Sequence, residues 1–387
     1  MITLKKYRKN FDQKSIDLKL KALSELVGYP LEYIRQSPYN PELLRGNIEN
    51  PIGFAHIPIG LVGPINVAGE VAIGCFHVPM ATTEGALVAT YDLGAKLLYS
   101  IPIEVSTVKN AVHISPMFLP SNQNNITSFH QFIIDQMDSI KAIAEANSSH
   151  TALIGIDQEI LGDMILLRFK YDTCDAHGLN MINRATFNAC LYIEQQTGVR
   201  FHHRSHYSGV KHHSPLNEKI GYGYHVKASV KIPASILRLL HVNAADLYDF
   251  FQRCLISAKH AGIHSMNVHA ANGLAAIFLA CGQDMADISM CHVCRDSCSI
   301  DDNGSLHWEI EIPNLLIGTV GGGTRLGSQK ECLSIMECYG EGKSQKFAEV
   351  IAATILAGEF PTAAAIVNRS YVDAHNKYGR NKHQNRA

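Results

Sequence analysis

The sequence predicts an α+β protein, with a large helix-rich body interrupted by a smaller module in which strands and helices alternate. Three observations predict it. Between about 110 and 207 the chain carries short β-like runs, AVHISPMF, TALIGI and MILLRFKY, with helical stretches among and after them, including MINRATFNACLYIEQQTG. The half that follows repeats apolar residues at helical spacing. The texture before and after the alternating stretch is alike, so that stretch reads as an insertion into one larger domain.

The elements follow in order. The first 45 residues are polar and hold one helical segment, SIDLKLKALSELVG. From Asn50 to Pro64, NPIGFAHIPIGLVGP is dense in Gly and Pro and predicts an extended, turn-rich course with close backbone approach. In MATTEGALVATYDLGAKLL the apolar residues Leu87, Val88, Tyr91, Ala95 and Leu98 recur at helical spacing. Glu84 then falls at the start of that helix, with Thr82 or Thr83 as its N-cap. Asn243 caps NAADLYDFFQRCLISAKHAG, and Gly262 stops it. VHAANGLAAIFLACGQD predicts a tightly packable helix with His269 and Asn272 at its start and Asp284 just past its end. WEIEIPNLLIGTVGGGT is a strand-like run closed by glycines. One helix runs through KFAEVIAATILAG to Gly358, and Pro361 opens a last one.

The chain has 387 residues, 46% hydrophobic and 18% charged, with a formal net charge of -1. That balance describes an ordinary globular protein and argues against nucleic acid or an anionic membrane as the main partner. No run approaches the roughly 20 apolar residues needed to cross a bilayer. The N-terminal residues have charge but no apolar core behind them, so neither a signal nor an anchor is expected and the location is read as cytoplasmic. No repeat period is visible. The ten cysteines are scattered and do not form a disulfide framework. The cluster CHVCRDSC lacks a second CxxC, and HHRSHYSGVKHH, from His202 to His213, matches no zinc spacing, so no metal is expected.

Glu84, Lys211, Asp284 and His269 are candidates for a proton-handling site. A carboxyl in an apolar setting can act as an acid near neutrality, and a lysine beside it can stabilise an oxyanion. Each also has a plain reading: Glu84 as a first-turn partner of the helix dipole, Asp284 as a turn residue, Lys211 as a loop charge, His269 as a satisfied core histidine. GTVGGGT, from Gly318 to Thr324, can form an anion nest but is not GxGxxG, which disfavours a Rossmann site. DAHGLNM, from Asp175 to Met181, lies between a strand and a helix, where a helix N-terminus can receive a pyrophosphate.

ENPIGFAHIPIGLVGPI, TTEGALVAT, DAHGLNM, HAAN, GQD and GTVGGGT together resemble, in order and spacing, the 3-hydroxy-3-methylglutaryl-CoA (HMG-CoA) reductase family, and HAAN is similar to its eukaryote-type class. The resemblance covers about residues 45 to 385. It implies an N-terminal helical segment over 1–45 and a discontinuous substrate and CoA domain over 46–109 and 204–387, with a central helix and sheet. The insert, 110–203, would be a ferredoxin-like NAD(P)-binding domain. It also implies a homodimer or dimer of dimers with the active site at the subunit interface. The reaction implied is a four-electron reduction of HMG-CoA to mevalonate and CoA by NADPH, with NADH left open.

By motif position Glu84 would handle protons at the carbonyl, Lys211 would steady the oxyanion and Asp284 would tune both. His375 would protonate the departing thiolate, and a last-turn position suits a cation. Asp175, His177, Gly178, Asn180, Gly321 and Gly322 would meet the cofactor. Lys109, His269 and Asn272 would line the substrate site.

Several positions depart from the family pattern. Lys219 rivals Lys211. Lys109 stands where the family grips the substrate carboxylate with an arginine, which loses bidentate recognition. Val210, His212 and Gln252 replace charged residues near it. Tyr378 replaces the second histidine of the C-terminal pattern, His177 the middle of DAMGMN, and Ser148 and Ser149 stand where a Ser-Arg pair would hold a 2′-phosphate. Two alternatives follow: a paralogue that reduces another acyl thioester, or a CoA-binding protein without turnover.

Overall fold

A computed structural model describes residues 10–27, 40–121, 123–146 and 150–372. His375, Tyr378, Ser148 and Ser149 lie outside the described residues. After helix α1 (Gln13–Val27), strands β1 (Ile59–Ala68) and β2 (Ile73–Ala81) form a hairpin, followed by helix α2 (Leu87–Leu98) and strand β3 (Ile103–Lys109). The next stretch holds β4 (Val112–Ile114), β5 (Met117–Leu119), α3 (Gln123–Asp135), α4 (Met137–Glu145), β6 (Ala152–Leu161), β7 (Met164–Asp172), α5 (Leu179–Thr197) and β8 (Arg200–His202). Then come α6 (Pro215–Ile220), β9 (Tyr224–Ile232), α7 (Ala234–Leu239), α8 (Ala244–Ala261), α9 (Ala270–Cys281) and α10 (Ile288–Cys291). The last elements are β10 (Arg295–Ile300), β11 (Leu306–Leu315), α11 (Gly327–Ile335) and α12 (Ser344–Val367).

Two sheets result. One runs β10-β11-β9-β3-β1-β2 and is built from strands on both sides of the middle stretch. The other contains only β4 to β8. There β7 pairs with β6 and, in one continuous antiparallel register, with β4 and β5, and β5 carries β8. Helices α3 and α4 connect β5 to β6, and α5 connects β7 to β8. A β-α-β-β-α-β order with antiparallel neighbours is the ferredoxin-like pattern.

α12 is the central helix. The sequence reads there as two helices parted at Pro361, but the structure has one helix of 24 residues with Pro361 inside it. Proline removes the N–H that would bond the carbonyl of Ala357. That carbonyl faces Gly94 of α2, where a Cβ would lie 1.7 Å from it. The proline and the glycine therefore fit together, and Gly94→Ala would force the two helices apart. We expect a loss on the order of 3 kcal/mol in denaturant unfolding. An unchanged midpoint would show that the contact carries no strain.

By length and composition α12 is also apolar enough to cross a membrane, contrary to the sequence expectation, but 83% of its apolar window is buried inside the protein. It is apolar all round because sheet and helices surround it.

The start of α2 is a second correction. The helix begins at Leu87, after Ala86 at φ 74°, and Thr82 Oγ1 accepts the Glu84 N–H at 3.0 Å in a turn outside the helix. Glu84 thus sits on a loop and not in the first turn. The other boundary signals hold. Asn243 accepts the Asp246 N–H and Gly262 takes the left-handed C-cap of α8. All ten cysteines are free thiols.

Candidate active site

Helix α9 organises the candidate residues. Its small residues let it pack closely: Gly273 lies where a Cβ would meet the Tyr91 hydroxyl at 2.1 Å. At its N-terminal end, Asn272 Nδ2 donates to Glu84 Oε2 at 2.8 Å. Past its C-terminal end, Gly282 takes the left-handed cap and Asp284 starts a short turn, accepting the Ala286 N–H at 3.0 Å. There Lys211 Nζ donates to Asp284 Oδ2 at 2.6 Å. Of the two rival lysines, Lys211 is the one that bonds this aspartate. Its backbone is left-handed, with φ 60°, in a short turn before α6.

Partial burial pushes the Asp284 carboxyl up, but the Lys211 hydrogen bond, the Ala286 N–H and the Lys211 and His177 charges outweigh it. The net position is below the ordinary carboxylate range.

The structure therefore joins Glu84 to Asn272 and Lys211 to Asp284, and within one chain it holds the pairs apart. α9 has 12 residues, so its ends are roughly 18 Å apart.

The pair Lys211–Asp284 adjoins a cavity of about 600 Å³ lined by Asp284 itself, by His177, Gly178, Asn180 and Met181, and by Gly321 and Gly322. Two motifs far apart in sequence form its walls. They are tied by a parallel bridge between Ala176 and Val320 and by Thr319 N–H donating to Asp175 O at 2.9 Å. Gln283 locks the glycine segment further: its Oε1 accepts the Gly318 N–H at 2.8 Å and its Nε2 donates to Gly318 O at 2.9 Å. The role of Gln283 was visible in sequence only as the middle of GQD. Gly178 is left-handed (φ 82°) and opens α5, and its first-turn residues Leu179, Asn180 and Met181, whose N–H groups have no partner within the helix, line the cavity.

Three expected site residues are engaged elsewhere. Asp175 accepts from Ser344 N–H, Ser344 Oγ and Gly342 N–H at 3.0, 2.6 and 2.8 Å, which clamps the turn before α12 and leaves its carboxylate behind the cavity wall. Burial raises this carboxyl, but those bonds bring it below its ordinary range. Lys109 donates to Asp172 Oδ1 at 2.6 Å and to Cys174 O at 2.9 Å. Burial pulls the Lys109 ammonium down, yet the Asp172 hydrogen bond and nearby groups leave it raised. His269 has both ring nitrogens occupied, Nδ1 by Glu359 at 3.2 Å and Nε2 by Thr362 at 2.9 Å, and stacks on Tyr91 at 5.4 Å. It lines a smaller cavity of about 140 Å³ together with Glu84, Thr90, Leu240 and Tyr371.

Among the described residues, His177, Asp284 and Asp287 offer the one constellation with cation-ligand spacing. Asp284 Oδ2 and His177 Nε2 are already held by Lys211 and Asp287.

The fold and cavity are those of a two-sheet protein with a polar pair at the mouth of a nucleotide-sized cleft. A sequence model described as hydroxymethylglutaryl-coenzyme A reductase matches residues 15–380. The 3-hydroxy-3-methylglutaryl-coenzyme A reductase of Pyrococcus horikoshii is 34% identical over 97% of this chain and 94% of its own length. That of Methanocaldococcus jannaschii is 32% identical over 94% and 92%. Among solved structures, the class II enzyme of Streptococcus pneumoniae bound to NADPH superposes with a TM-score of 0.68 at 18% identity, covering 90% of this chain and 97% of that one. The chain belongs to the hydroxymethylglutaryl-coenzyme A reductase family, a family of enzymes.

Proposed function

We propose that this protein reduces HMG-CoA with two hydrides from NADPH, giving mevalonate and CoA. The observation that carries the reading is the Lys211–Asp284 ion pair at the mouth of the cavity that DAHGLNM and GTVGGGT enclose. NADPH would lie in that cavity. His177, Gly178, Asn180, Gly321 and Gly322 would form its walls, and the first-turn N–H groups of α5 would meet its pyrophosphate. NADPH supplies hydride. The Lys211 ammonium stabilises charge developing on the carbonyl oxygen and gives it a proton. His375 would protonate the CoA thiolate.

A homodimer completes this reading. Glu84 cannot reach its own chain's Lys211, but it shares a cavity with Leu93, which is 42% exposed, and its loop follows β2, whose partner strand β1 leaves Ile59 and Leu61 50% and 53% exposed. Such an apolar surface favours a second copy, and a twofold contact would set one copy's Glu84 near the Lys211–Asp284 pair of the other. Ten free thiols fit a reducing, cytoplasmic location.

A second reading has one specific support. Lys109 is held by Asp172 and Cys174, so the expected grip on the acyl carboxylate is weak. A different acyl thioester would then be the substrate.

One assay tests both. Purified protein is mixed with HMG-CoA and NADPH or NADH, and absorbance loss and free thiol are followed together. The proposed reading expects two reduced nicotinamides consumed per thiol released. Silence with HMG-CoA but turnover of another thioester supports the second reading, and silence with every thioester refutes both.

A further inference from the structure

His177 and Asp287 form a pair that the chemistry above does not use. Asp287 Oδ2 accepts from His177 Nε2. Asp287 is fully buried, and its other oxygen, Oδ1, has no partner among the described residues. A buried carboxylate so placed fixes the orientation of the ring and the tautomer with hydrogen on Nε2. The His177 side chain is 26% exposed and lines the cofactor cavity, and among the described residues its Nδ1 makes no hydrogen bond. A ring nitrogen of His177 and one oxygen each of Asp284 and Asp287 all lie within 4.8 Å of one another. That spacing is the reach of one bridging water. With Lys211 bonded to Asp284, the four groups make a connected line of contacts from a buried carboxyl group to the reactive ammonium.

The stoichiometry of the proposed reaction gives this line a task. A thioester, two hydrides and two protons yield an alcohol and a thiol. The Lys211–Asp284 pair holds one transferable proton at the carbonyl oxygen. His375 gives one proton to the thiolate, and the hydroxyl proton of the hemithioacetal returns to the Lys211 amine as the aldehyde forms, so the amine is left one proton short by the second hydride transfer and must be recharged before the next turnover.

We propose that His177, oriented by Asp287, returns a proton to the Asp284–Lys211 pair after the second hydride transfer. This rests on the thioester-reducing reading. In the step, the Nδ1–H bond of cationic His177 breaks as an O–H bond forms on Asp284. That O–H then breaks as an N–H bond forms on the Lys211 amine. His177 is left neutral, still donating from Nε2 to Asp287, and Nδ1 takes its next proton from water in the cavity. The charged and titratable groups around His177 are Asp284 and Asp287 after α9, Lys211 behind Asp284, and Asp175 two residues before it. Beneath lie the buried Tyr222 and Cys291, which both sense Asp287, and Arg204, which acts on Tyr222. His177 is the member open to the cavity, and Asp287 is a positioning residue.

The test compares wild type with His177→Gln, His177→Ala and Asp287→Asn in the HMG-CoA and NADPH assay. Glutamine can still donate to Asp287, so H177Q keeps the fold, but it cannot exchange protons. H177Q should lower kcat about a hundredfold with little change in KM. Added imidazole should restore rate to H177A, which a packing role would not produce. D287N should lower kcat less than H177Q and leave KM alone. Reduction of the free aldehyde spends the same Lys211 proton and should fall by the same factor as the full reaction. H177Q turning over at the wild-type rate, or imidazole leaving H177A unchanged, overturns the relay while wild-type turnover keeps the reading beneath it. A wild type that never oxidises NADPH with a thioester overturns both.

Discussion

Lys211→Ala is expected to lower kcat for thioester reduction by about 10²–10³-fold, with the melting temperature little changed. The side chain is 37% exposed and its one bonded partner among the described residues is Asp284, so its removal leaves no cavity in the core. Alanine shares the left-handed backbone at this position with lysine and adds no new strain. What disappears is the only described ammonium bonded to Asp284, a residue that lines the cavity. Asp284→Asn should produce a loss of the same order, since it releases the lysine from its orientation. Together the two substitutions should cost little more than either alone, because groups that act as a unit are not additive. Additive losses would mean that Lys211 and Asp284 serve separate steps.

The pair also leaves a mark on acid stability. The Asp284 carboxyl is held below its unfolded value of 3.8. Such a group contributes stability above the unfolded value and loses it as pH falls through the lower folded value. In Lys211→Ala the lysine's share of that contribution is gone, so its acid unfolding should begin at a higher pH than in wild type. Both carboxyl and ammonium are more than one third exposed, so the shift should be small and should shrink with added salt.

The sequence made α9 legible because its message is local: small residues at helical spacing, polar groups at each end, and a glycine stop. The same holds for α8, whose caps lie within the segment they cap. Glu84 and Asn272 could be named as candidates, but their bond spans 188 positions and follows from the packing of α9 against β2 and Tyr91. Asp175 and Lys109 show the converse. Their motif positions suggest ligand contacts, yet Ser344 and Asp172 reach them first, and no local pattern announces either partner. The sequence reads the single helix α12 as two because Pro361 normally ends a helix. Gly94, more than 260 positions earlier, makes room for the freed carbonyl. Strands β1 to β3 and β9 were missed for a related reason: the first is rich in Gly and Pro, and a sheet identifies its strands only once they pair.

Glu359 gives no signal in the sequence because it lies among apolar residues on a helix that is buried on every side, and it carries the largest stability effect we expect. Its carboxylate accepts from the Val268 N–H, from the His269 N–H at 2.8 Å and from His269 Nδ1, with no exposure to water. These bonds fix the entry into α9, where Asn272 meets Glu84. Glu359→Ala leaves two buried N–H groups and a histidine without their acceptor, and should cost about 3–5 kcal/mol in denaturant unfolding.

Asp296 gives the contrasting case. It is fully buried against Glu359 and the Trp308 indole, and neither of its oxygens reaches hydrogen-bonding geometry with a described partner. Burial and the Glu359 charge hold its carboxyl well above the unfolded value of 3.8. The folded protein therefore keeps a proton there that the unfolded chain gives up, and stability falls as pH rises from the unfolded value towards the folded one. Asp296→Asn is neutral in both states and removes that slope. Its stability relative to wild type should rise with pH across that window, as measured by urea midpoints from acid to neutral pH. Parallel curves for the two proteins would show that Asp296 is ionised in the folded core, and the proton assigned to this pair would have to be withdrawn.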